Sequence, residues 1–187
     1  MKKILIFLLI LSSFNLFSQG KMLKIGPSSL ATRARDGATI LHYGLELERE
    51  WSVSKHWSFG LNGSYFQSSK YEEEGFVFTT TTFTAITRSL SSEIFGFQPY
   101  ARRYQRGFDE GSFWSFGIDI RSVNIRNYTQ KFADSHDNEQ HFILSFGNRT
   151  KMTDLVYCDQ LFSVGISGDS NQSPVSFRLG CLFGLRR

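Results

Sequence analysis

Glu46, Glu48 and Glu50 recur at every second position, and Asp119 and Arg121 do the same further along. Arg102, Arg149 and Arg178 stand on segments with the same two-residue rhythm. In an extended chain, residues two apart point to one face, so these segments would aim carboxylates and guanidinium groups into a common space. Such a set could bind or gate an ion, or neutralise itself as an internal salt-bridge core. The structural core is the favoured reading, because a buried charge without a partner is strongly destabilising. Paired carboxylates of this kind are not in themselves a sign of acid–base catalysis. His56 and Ser58 also share a face, the spacing a Ser nucleophile and its His base would need on a strand. Asp134, His136, Asp137 and Glu139 crowd one polar stretch, but their spacing matches no known metal loop and reads as a solvated loop. Cys158 and Cys181 show no Cys/His spacing suited to zinc, and no metal or cofactor is expected.

These residues need strands to position them. Val175, Phe177, Leu179, Cys181, Phe183 and Leu185 alternate with Ser176, Arg178, Gly180, Gly184 and Arg186, with Leu182 alone out of place. The same rhythm marks out eight strands, at about 21–32, 38–51, 56–68, 93–105, 112–128, 139–150, 158–168 and 174–187. Pro27 disfavours a central position for the first. Alternation slips at Ser122-Val123, which suggests a bulge. Phe76 to Ile86, inside the long connection 69–92, is β-prone and would extend a hairpin. Alternating strand direction puts Ser52–Lys55, Arg106–Gly111 and Lys151–Tyr157 at one end. The 69–92 connection falls at the other end, with 33–37, 129–138 and 169–173. The expected fold is all-β: an eight-stranded antiparallel up-and-down transmembrane β-barrel, with lipid outside and a polar lumen filled by side chains. A soluble lipocalin-like cup is the competing architecture and would turn the apolar face inward.

The ends and the composition agree with a membrane barrel. Lys2 and Lys3 precede an unbroken apolar run from Ile4 to Leu11, followed by a mixed stretch that ends at Ser18 and Gln19. Residues 1–18 read as a signal peptide and 19–187 as one barrel domain, exported to the outer membrane of a Gram-negative bacterium. No stretch is long and apolar enough for a spanning helix. The aromatic content of 16%, with 19 Phe, suits a barrel with aromatic girdles. Trp51, Trp57 and Trp114, near strand ends, read as interfacial anchors. The formal net charge of +4, or +2 without the two leading lysines, is scattered rather than clustered, so nucleic acid is not an expected partner. A disulfide between the cysteines is compatible with an oxidising compartment. A hairpin centred near Asn171 and Gln172 opposes it, by setting Cys181 opposite Phe162. Asn148-Arg149-Thr150 fits a glycosylation sequon but lies within a strand, where it carries no weight.

Arg178-Leu179-Gly180-Cys181-Leu182-Phe183-Gly184-Leu185 resembles the C-terminal assembly signal of outer-membrane proteins, with Arg178, Gly180, Phe183 and Leu185 in its defining positions. The chain departs from that pattern by continuing to Arg186 and Arg187. Together with Tyr43 to Val53, His56 to Tyr65 and Phe97 to Tyr104, it is similar to small eight-stranded outer-membrane barrels of the outer membrane protein A/X type. The resemblance implies fold and location, and no activity. It also implies outer-membrane lipid and the barrel-assembly machinery as partners for a monomer. An extracellular partner through 69–92 is a further expectation. His56-Trp57-Ser58 separately resembles the His-x-Ser pair of outer-membrane lipid A deacylases, which makes lipid modification the alternative function. The pair faces the expected lumen, however, and not the lipid. A small pore is the weakest option.

Overall fold

Strands form wherever apolar and polar residues alternate, because each face then meets a uniform surrounding. A computed structural model of the chain describes residues 20–33, 39–78, 83–129, 133–168 and 175–186. Among them are nine antiparallel segments and no helix: β1 (Gly20–Arg33), β2 (Thr39–Ser52), β3 (Trp57–Ser68), β4 (Tyr71–Phe78), β5 (Phe83–Tyr104), β6 (Gly111–Asn127), β7 (Ser135–Lys151), β8 (Val156–Ser167) and β9 (Val175–Arg186). β3 and β4 pair in turn with successive stretches of β5, from Trp57↔Arg103 to Gln67↔Glu93 and from Tyr71↔Leu90 to Phe78↔Phe83. The nine segments are therefore eight staves, and β1 closes the ring on β9 from Met22↔Arg186 to Ala31↔Phe177. The expected signal peptide and the 169–173 turn lie outside the described residues.

β1 lies between two partners despite Pro27. The β1–β9 ladder breaks there, with Ile25↔Phe183 and Ser28↔Gly180 paired on either side, so the missing proline N–H costs no rung. Pro99 in β5 makes the same gap against β6, between Phe97↔Ile120 and Tyr100↔Gly117. The β-prone stretch after residue 70 does extend the barrel, as the β4–β5 ribbon.

One expectation along the strands is corrected. No bulge interrupts β6: the β5–β6 register runs through Phe95↔Ser122 and Ile94↔Val123 without slipping. Val123 simply faces inward, and so does Leu182 in β9. Both belong to apolar clusters that close the two ends of the lumen. Leu30, Phe66, Ile94 and Val123 close the hairpin end. Met22, Tyr104, Phe108, Phe113, Tyr157, Leu161 and Leu182 close the short-turn end. Phe108 reaches its cluster because the β5–β6 turn doubles back at Gly107 (φ +132°) and Gly111 (φ +104°), left-handed positions that favour glycine.

The wall is apolar on its outside. Leu23, Leu45, Phe97, Ile118, Phe142, Phe162 and Leu185 are all more than two-fifths exposed, the reverse of the lipocalin arrangement. Trp57 and Trp114 meet edge to face on this surface with ring centroids 5.8 Å apart, near the short turns. Trp51 departs from the expected anchor role: it is buried, with the Arg49 guanidinium carbon 5.2 Å from its ring centroid.

Candidate functional site

Inward positions of successive staves bring the charged residues together in two layers between the apolar ends. Glu46, Glu48, Glu50, Arg102, Asp119, Arg121, Arg149 and Arg178 are all buried, none more than 3% exposed. Lys24 and Asp159 join them, unpredicted.

The layer nearer the short turns holds Lys24, Arg102 and Arg149 against Glu48, Glu50 and Asp159. Lys24 contacts all three carboxylates, with its Nζ 2.7 Å from Asp159. Arg102 bonds Glu48 at 3.1 and 3.2 Å and Asp159 at 3.1 Å. Arg149 donates to Glu50 at 2.6 Å and to both Asp159 oxygens at 2.6 and 2.7 Å. It also donates to the Phe108 carbonyl at 2.8 Å, tying the folded-back turn to the charge layer. The Tyr104 hydroxyl and Ser58 both donate to Glu50. The aromatic rings near the charges contribute as well, with the Arg102 carbon 4.2 Å from the Phe113 centroid.

The layer nearer the hairpin holds Arg121 and Arg178 against Glu46 and Asp119. Arg121 bonds Asp119 at 2.8 Å and Ser176 at 3.1 Å. Arg178 lies 3.5 Å from Glu46 and 3.9 Å from Asp119, and bonds Gln98. Asn62 donates to Glu46 at 2.6 Å. This layer is looser than the first, and buried atoms including Glu46 Oε1, Asp119 Oδ1 and Arg178 Nε lack a hydrogen bond. Each layer balances its charges, three against three and two against two.

Glu48, Glu50 and Asp159 are close enough for one ion, but Lys24 and two arginines already occupy the space a cation would take. The other candidate chemistry disperses. Ser58 is committed to Glu50 inside the lumen, whereas His56 sits at the rim with Nδ1 3.1 Å from the Tyr104 carbonyl. No nucleophile–base contact forms between them. His136 contacts Asn124 at 2.7 Å, Asp134 accepts from the Asn127 amide at 2.9 Å, and Glu139 pairs with His141 at 3.0 Å. They do not converge on one point. Asn148 lies within β7.

The cysteines lie closer than expected. The β8–β9 register sets Gln160 opposite Cys181 and Phe162 opposite Leu179, two residues from the expected pairing. A shift of two preserves every face but makes Cys158 and Cys181 diagonal neighbours.

An eight-stave barrel with an apolar wall and a self-neutralising lumen is the fold of small outer-membrane β-barrels. Solved structures agree in architecture. The attachment invasion locus protein Ail of Yersinia pestis, solved in complex with the heparin analogue sucrose octasulfate, is 12% identical with a TM-score of 0.57, over 90% of this chain and 99% of Ail. Neisserial surface protein A is 10% identical with a TM-score of 0.58, over 88% of this chain and 96% of its own. OprG from Pseudomonas aeruginosa is 8% identical with a TM-score of 0.53, over 91% and 97%. No protein-family model and no curated protein matches the chain.

Proposed function

We propose that the chain is a non-enzymatic integral protein of a Gram-negative outer membrane, supporting envelope structure or surface interaction through its extracellular loops. The apolar wall carries this reading: Leu, Ile and Phe side chains stand exposed on stave after stave, while ten charged side chains lie buried inside. In water that distribution would be strongly unfavourable, and in lipid it is the stable one. The short turns then face the periplasm and the β4–β5 ribbon projects outside. The Arg178, Gly180, Phe183 and Leu185 set lies on β9, the strand that closes the barrel, in keeping with an assembly signal. Arg178 points into the lumen, and Phe183 and Leu185 point outward. An interaction role suits β4, which among the described residues pairs along its length with β5, since a projecting ribbon can add a partner strand. A lipid A deacylase activity has no support from His56 and Ser58, whose side chains have separate partners.

Gel mobility of detergent-extracted outer-membrane fractions, boiled and unboiled, tests the location. A closed membrane barrel is expected in that fraction and migrates differently until heated. Recovery as a soluble protein with no shift would overturn the reading. Lipid A mass spectra with and without the protein test the enzymatic alternative, and unchanged spectra are expected.

A further inference from the structure

Cys158 and Cys181 are the two cysteines of the chain, and the fold brings them together at one spot. Both point to the outer wall, both are half-buried, and their sulfurs are 3.5 Å apart on neighbouring strands. Cys158 stands opposite Phe183, and Cys181 opposite Gln160. The two thiols are thus diagonal neighbours on a single face. A disulfide has a bond of about 2.05 Å and tight limits on side-chain direction. The two sulfurs, on one face, have to close from 3.5 Å to that bond length.

We propose that Cys158 and Cys181 form an intramolecular disulfide that staples β8 to β9. The inference rests on the envelope location given under Proposed function, because disulfides form and persist outside the reducing cytoplasm. The reaction is thiol–disulfide exchange with an envelope thiol oxidant that itself carries a disulfide. One cysteine, as its thiolate, attacks that disulfide to give a mixed disulfide and releases one oxidant thiol. The second cysteine displaces the other oxidant sulfur and closes the Cys158–Cys181 bond. Two electrons pass to the oxidant, and the two cysteine protons end on its two thiols. Cys158 is the third residue of β8, next to the short turn, so the pair sits near the rim where a periplasmic oxidant has access. The staple holds the register of β9, the strand on which β1 closes the ring.

The test uses the full-length protein in its own membrane. Cells are quenched in acid, the outer-membrane fraction is dissolved in denaturant, and thiols are alkylated before and after reduction. Denaturation removes burial as a reason for a silent thiol. The expected result is no label before reduction and two labels after it, on a monomer of intact mass. Cys181→Ser should then take one label without any reductant. Two labels before reduction in protein from the outer-membrane fraction would overturn the disulfide alone. A reduction-sensitive dimer or a small-thiol adduct would overturn the intramolecular pairing. Absence of the protein from that fraction would instead overturn the location on which the inference rests. A second readout follows the staple itself. Reduction should lower the temperature at which the unboiled band converts. The Cys158→Ser/Cys181→Ser variant should behave like the reduced protein and show no further change on reduction.

Discussion

Arg149 is one of three cations in the layer nearer the short turns, and the one that also holds the folded-back turn. It is the shared partner of Glu50 and Asp159, both fully desolvated, and it anchors Phe108 through a backbone carbonyl. Arg149→Ala would leave Lys24 and Arg102 facing three carboxylates and release the turn. Removing one partner of a buried ion pair typically costs about 3–5 kcal/mol, and a loss of that order is expected in urea unfolding of the detergent-solubilised barrel. Arg121→Ala should cost less, because Asp119 still has Arg178 at 3.9 Å and the surrounding layer is loosely bonded. Equal, small effects from both would argue against a structural core. Much of this layer was legible in the residues. A two-residue period forces Glu46, Glu48 and Glu50 to one side, and Arg102, Asp119, Arg121, Arg149 and Arg178 follow by the same rule. Lys24 and Asp159 obeyed it too. Lys24 lay in a strand that Pro27 made weak. Asp159 stands three residues before the Phe162, Val164 and Ile166 run that marks its strand. Phe108 had no such signal, because a turn has no period.

At the level of strands, the β1–β9 seam is an exacting contact. Gly26 and Pro27 sit where the ladder is interrupted, and a Cβ on residue 26 would run into the Cys181 carbonyl oxygen. Gly26→Ala is therefore expected to lower the temperature at which the unboiled band converts, or to reduce the folded fraction outright. Gly63→Ala is the control: a Cβ there has only the Leu47 carbonyl oxygen within reach, at 4.0 Å, and should leave the band unchanged. The β4–β5 ribbon is the opposite case. Glu72↔Ser89 is a paired position near the base of the ribbon, and a two-residue Asn-Gly turn suits such a hairpin. Replacing Glu73–Arg88 with Asn-Gly retains the buried Leu90. The shortened protein should still shift on boiling while losing any surface binding; binding that persists would refute the role of the ribbon. Strand existence and facing could be read from alternation because lipid and lumen impose opposite demands on successive residues. The misreadings came where that demand changes. Val123 breaks the apolar-out rule, as Leu182 visibly does in the sequence, because the lumen is apolar at its two ends, and nothing within a single strand announces where the polar stretch stops.

Across the whole molecule, the lumen is built in layers: an apolar end, two balanced charge layers and a second apolar end. Ions crossing it would have to part Leu30, Phe66, Ile94 and Val123, break five internally paired cations from five carboxylates, and then displace the Tyr104, Phe108 and Phe113 cluster. Each step removes contacts that water could not replace without opening the ring, and an eight-strand barrel is just wide enough for its side chains to fill. The purified barrel is therefore expected to give no discrete conductance steps in a planar bilayer at any ionic strength. Loosening one end should not change this. Phe108→Ala removes an aromatic from the short-turn cluster but leaves the charge layers and the hairpin-end cluster in place, so it too should remain silent. Steady conductance from the wild-type barrel would mean that the ion pairs exchange partners readily enough to pass ions, and the charged lumen would then be a pathway and not a core.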